Sequence, residues 1–92
     1  MTKTLNSSQH KVFQELFVEE RRHAGITHKT LAERLGVDRS AVTRIETGER
    51  RVDLVELQQI CEVLGIPLAE FVRKYEERTR DEAQEDNGGT SK

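Results

Sequence analysis

The chain has a single cysteine, Cys61, so no intramolecular disulfide can staple it. Its spacing from Leu57, Ile60 and Leu64 marks Cys61 as a small buried thiol on a helix face. The uninterrupted apolar runs are a few residues long, against the roughly 18 that a membrane span needs. Nothing resembles a signal peptide. Strand-like alternation and internal repeats are missing, and no low-complexity segment precedes the C-terminal tail. The histidines, His10, His23 and His28, have neither metal-ligand spacing nor cysteine partners, so no metal is expected. There is no Ser/His/Asp or Cys/His arrangement, no paired carboxylates in a cleft and no phosphate-binding glycine loop. The sequence therefore gives no support to an enzyme and calls for no cofactor.

What is present is charge and helical spacing. Of 92 residues, 34% are hydrophobic and 35% charged, enough for one small domain with a modest core. Short packed helices suit such a core better than a buried sheet, so the expected class is all-α. The net charge of −2 is unevenly spread. Residues 76–92 carry six acids and three bases, whereas residues 21–51 carry eight bases and four acids. Local rather than total charge sets the attraction to an anionic partner.

Residues 1–6 read as a flexible start, residues 7–75 as the folded domain, and residues 76–92 as a polar, acidic and largely disordered tail. Ser7 or Ser8 caps a first helix reaching about His23, with Val12, Phe13, Leu16, Phe17 and Ala24 on its buried face. Glu20 falls inside that stripe with no partner evident, and is read as its exposed edge. Gly25 ends the helix. Thr27 caps a second, from His28 to Leu35, and Asp38 a third, from Arg39 to Thr47, which Gly48 closes. Asp53 and Glu56 form a capping box for a fourth, from Leu54 to about Leu64. Its apolar stripe is Leu54, Leu57, Ile60, Cys61 and Leu64. Pro67 fits the first turn of a fifth helix, with Leu68, Phe71, Val72 and Tyr75 on one face.

Residues 28–47 carry the most information. Leu31, Ala32 and Leu35 face Val42 and Ile45 across a turn at Gly36, a residue that tolerates positive φ. At 100° per residue, Arg39, Ser40, Thr43, Arg44 and Thr47 share an arc of roughly 140° on the outer side of the third helix. An isolated face of this kind is usually no more than a solvated surface. Here the inner face, the glycine turn and the preceding helix fit together at fixed spacing, leaving the outer face free to enter a DNA groove. Arginine can donate two hydrogen bonds to guanine, and serine or threonine reads bases less strictly. His28 and Lys29, at the start of the second helix, and Arg50 and Arg51, after the third, are candidates for phosphate contact.

These residues resemble the Cro/repressor-type helix-turn-helix family, also called the xenobiotic-response-element (Xre) family. The resemblance rests on Ile26-Thr27, Leu31-Ala32-Glu33-Arg34-Leu35-Gly36-Val37, Ser40, Val42, Arg44-Ile45-Glu46, Gly48 and Arg50, and continues through Leu54, Leu57, Ile60, Leu64-Gly65 and Leu68. It implies a compact five-helix, lambda-repressor-like domain that binds double-stranded DNA, usually as a dimer on a palindromic operator. It implies base contacts from Arg39, Ser40, Thr43 and Arg44, phosphate contacts from His28 and Thr47, and an ion pair between Arg21 and Glu46. The chain departs from the family in having His28 for the usual glutamine, Thr47 for asparagine and Val52 for proline.

The expectation is a cytoplasmic, nucleoid-associated transcription regulator, a repressor, without a membrane partner. The alternative is an antitoxin or phage-type switch protein of the same fold, whose main role is to bind another protein. Phe71, Val72 and Tyr75 exceed what so small a core can readily bury, and are read as a homodimer interface.

Overall fold

The computed structural model describes residues 7–90, with side chains through residue 81. Residues 1–6, read above as a flexible start, lie outside the described residues. Five helices follow in order: α1 (Ser8–His23), α2 (His28–Leu35), α3 (Arg39–Thr47), α4 (Leu54–Leu64) and α5 (Leu68–Thr90). Hydroxyl and carboxylate caps set three of the starts. Ser7 accepts from the His10 amide, Thr27 from the Thr30 amide and Asp53 from the Glu56 amide, each satisfying a donor that the first turn cannot. Asp38 occupies the cap position of α3, but its carboxylate takes no backbone hydrogen bond. The capping box of α4 is half formed, because the Glu56 side chain turns to Arg50. Pro67 lies just ahead of α5, its carbonyl accepting from the Glu70 and Phe71 amides.

Glycine is required at the end of α3. Gly48 has φ +87°, and a Cβ there would lie 2.7 Å from the Gln14 Oε1 atom of α1. That side-chain end can swing aside, so it is the left-handed backbone conformation that favours glycine here.

The core lies between the helices. Phe17, Leu31, Ala32, Val42, Ile45, Ile60 and Leu64 form its larger part, and Leu16, Cys61 and Phe71 a second part under α5. Phe13 and Ile66 pack against both. Phe71 also meets the Phe13 ring edge-on at 5.9 Å, a favoured aromatic geometry.

Several expectations are corrected. Ala24 and Leu54 are exposed, because each sits at a helix end where the stripe has already passed beyond the neighbouring helix. Phe71 is fully enclosed by its own chain rather than lying on an open stripe, since α5 crosses α1 closely enough to cover it. Glu20 is only 8% exposed and is not an edge. Its carboxylate accepts from Lys74 Nζ at 2.7 Å, across 54 residues of sequence. Tyr75, the expected edge of the folded domain, lies within α5. α5 continues through it and up to Thr90, including the Asn87-Gly88-Gly89 stretch read as disordered. Two sets of contacts favour the continuation: Arg73 with Glu77 one turn on, and Arg78 gripping Glu19 of α1 at 2.7 and 3.2 Å.

Candidate nucleic-acid interface

The α2–α3 pair is built from the inside outward. Gly36 adopts φ +74° and the Val37 amide returns to the Ala32 carbonyl at 3.0 Å, closing α2 in a tight turn. α3 then buries Val42 and Ile45 against Leu31 and Ala32. Its register turns Arg39, Ser40, Thr43, Arg44 and Thr47 outward, and all five are exposed. Arg39, Ser40 and Arg44 make no side-chain hydrogen bond or ion pair with any described residue. Thr43 donates to the Arg39 carbonyl at 3.4 Å and Thr47 to the Arg44 carbonyl at 3.2 Å, which leaves their oxygens available as acceptors. The face thus carries two unpaired guanidinium groups and no carboxylate.

What holds α3 converges on Glu46. Arg21 Nε donates to Glu46 Oε2 at 2.6 Å, and the two side chains are only 10% and 13% exposed. The same guanidinium donates to the Ile26 carbonyl at 2.9 Å, tying the α1–α2 turn to the pair. His28 Nε2 lies 2.8 Å from Glu46 Oε1. An ionised carboxylate can only accept, so this nitrogen carries the hydrogen. Gln14 Nε2 donates to the Glu46 backbone carbonyl at 3.1 Å. Three side chains from two helices, α1 and α2, therefore fix one residue near the end of the outward-facing helix. Gln14 was missed in the sequence, although its spacing of seven residues from Arg21 places both on one face of α1.

Other candidates are distributed differently from expectation. Lys29 is exposed at the start of α2. His28 is turned to Glu46, so it serves as a holder of α3. Arg50 is turned inward as well: it pairs with Glu56 at 2.9 Å, and its Nη1 atom is buried without a hydrogen-bond partner among the described residues. Arg51 is exposed at the edge of a groove of about 540 Å³ between α1, α4 and α5. Val72 and Tyr75 line that groove and are half-buried, with Phe71 at its wall.

Cys61 is 1% exposed, and burial, with Glu20 nearby, pushes its thiol up to about 11. It remains a neutral packing group at neutral pH. No cluster of metal-ligating side chains occurs among the described residues, and none of their helices is long and apolar enough to cross a membrane.

The comparisons agree with this geometry. A helix-turn-helix family model, HTH_3, matches residues 18–71. The chain is similar to an XRE-family like protein from Pseudomonas syringae pv. tomato str. DC3000, with 36% identity over 78% of this chain and 88% of that one, and a TM-score of 0.73. It shares its fold with the clp gene regulator ClgR from Corynebacterium glutamicum, at 23% identity, 89% and 88% coverage and a TM-score of 0.73. No curated protein matches. With its glycine turn, anchored inner face and exposed basic outer face, the chain belongs to the Xre-type helix-turn-helix family of DNA-binding regulators.

Proposed function

We propose that this chain is a sequence-specific transcriptional repressor that binds a palindromic operator as a homodimer, with α3 in the major groove. The observation that carries the reading is the contrast between the two sides of α3. Glu46 is fixed from two helices, α1 and α2, while Arg39, Ser40 and Arg44 stand exposed and unpaired on the other side. Arginines without carboxylate partners do not have to break an ion pair before meeting guanine. In this reading Arg39, Ser40, Thr43 and Arg44 meet base edges. Lys29 and Thr47 hold the sugar-phosphate backbone on either side and set the register.

Two copies on a palindrome supply the base-pair count that one short helix lacks. Selection of bound sites from a random DNA pool tests the proposal. It should return an inverted repeat with half-sites about 34 Å apart, one turn of DNA. A pool that remains unenriched, or yields single unrepeated sites, would contradict it. Repression is tested by placing the selected site over a promoter and measuring transcription with and without the protein.

A further inference from the structure

His28 has two ring nitrogens and uses one. Nε2 lies 2.8 Å from Glu46 Oε1, and the histidine side chain is 38% exposed against 13% for its partner. No other hydrogen bond or ion pair engages His28 among the described residues. Because the Glu46 carboxylate only accepts, the single hydrogen of a neutral ring stays on Nε2. Nδ1 then presents a lone pair, and it gains a hydrogen only when the ring becomes an imidazolium. The contact with Glu46 thus turns a titration into a choice between acceptor and donor at one atom.

The position of the ring gives that choice a consequence. His28 is the first residue of α2 and is pinned to the next-to-last residue of α3. The residues that follow at these two points, Lys29 and Thr47, are both exposed, and both are assigned above to the sugar-phosphate backbone. A phosphate oxygen meeting the neutral ring would set acceptor against acceptor. Meeting the imidazolium, it accepts a charge-assisted hydrogen bond from Nδ1.

We propose that His28, as an imidazolium, joins Glu46 to a DNA phosphate, so that each chain takes up a proton when it binds DNA. This rests on the docking of α3 into DNA proposed above, and needs neither a dimer nor a palindrome.

The charges around the ring leave the proton to be decided by DNA. Glu46 of α3 favours the imidazolium, but its other oxygen already accepts from Arg21 of α1 at 2.6 Å. Lys29, next along α2, opposes a second positive charge. α4 packs against α2, yet neither of its glutamates bonds the ring: Glu56 is engaged by Arg50, and Glu62 is exposed. Without DNA, one carboxylate is shared between two cationic groups. A phosphate supplies the missing negative charge and draws the proton on. Affinity for DNA should therefore rise as pH falls through the range of about 8 to 5 in which histidine changes charge.

The test is binding of the full chain to a random-sequence DNA duplex, since a phosphate contact carries no sequence information. Lowering the pH from about 8 to about 6 should tighten wild-type binding by about tenfold, the effect of one added charge-assisted hydrogen bond. Over the same range the slope of log affinity against log salt should steepen by about one unit per bound chain, as one more phosphate is neutralised. Calorimetry in buffers of different ionisation heat should show net proton uptake on binding. His28→Gln keeps a donor for Glu46 but cannot titrate, and should lose both the steepening and the uptake. His10→Gln and His23→Gln, on α1, should keep both. A ring that only holds α3 would let affinity vary with pH and leave the salt slope alone. A constant slope in wild type, or steepening that survives in His28→Gln, would overturn the proposal while sparing the docking of α3. A chain that binds no duplex at any pH would contradict both. The slope and the proton uptake are read on the wild-type chain, so the test stands even where a variant is destabilised.

Discussion

Arg21 and Glu46 lie 25 residues apart in sequence and 2.6 Å apart in space, and their contact holds α3 against α1. Arg21 supplies a planar set of donors, one to Glu46 and another to the Ile26 carbonyl. Arg21→Ala should cost about 3 kcal/mol, as expected for a nearly buried pair deprived of one partner. Arg21→Lys should recover only part of that loss, since one ammonium does not reproduce the fork. Urea unfolding of both variants checks this. A loss no larger than that of an exposed-arginine variant such as Arg22→Ala would show that the pair is not a support.

The outer face of α3 leads to a different expectation. Arg39→Ala and Arg44→Ala should leave stability nearly unchanged, because neither side chain has a partner among the described residues. On the selected operator each should cost about 1–3 kcal/mol and relax the preference at one base pair per half-site. Binding to operator and to random DNA, measured side by side, distinguishes base reading from phosphate contact. Equal losses on both would assign these arginines to the backbone.

Lys29 and Arg50 should separate cleanly, although both are basic residues flanking α3. Lys29→Ala should weaken all DNA sequences alike and reduce the slope of log affinity against log salt by about one unit. Arg50→Ala should act mainly on stability, since its guanidinium is engaged by Glu56. Salt titrations of both variants, with thermal unfolding alongside, check the distinction. A reduced salt slope for Arg50→Ala would mean that the residue leaves Glu56 for the phosphates.

The contact between α5 and α1 predicts a graded response to truncation and to acid. Removing Thr79 to Lys92 keeps both Lys74–Glu20 and Arg78–Glu19, and should leave the melting temperature close to wild type. Arg78→Ala should cost at most about 1 kcal/mol, the range of a solvent-screened pair. The hydrogen bond from Arg78 holds the Glu19 carboxyl below its ordinary value. A group lowered on folding stabilises at pH above its unfolded value and loses that contribution as pH falls through the folded one. The difference in stability between wild type and Arg78→Ala should therefore shrink under acid, as followed by unfolding at a series of pH values. A difference that grows on acidification would rule out this contact as its source.

Local residue chemistry determined the helix order and most boundaries. Ser7, Thr27 and Asp53 cap their helices with side-chain oxygens, and Gly36 and Gly48 end theirs in a conformation that a Cβ disfavours. The amphipathic spacing of α3 likewise assigned its outer residues, because a short helix has only one face left once Val42 and Ile45 are buried. Tertiary packing decided what periodicity cannot express. A stripe states which residues share a face, but not how far a neighbouring helix covers it. That distance leaves Leu54 in water and encloses Phe71. Charged residues follow the same rule. Glu20 and Lys74, His28 and Glu46, and Gln14 and the Glu46 carbonyl are partners only because separate helices bring them together. Burial then makes each pairing matter, since a polar group withdrawn from water must find its hydrogen bond within the protein.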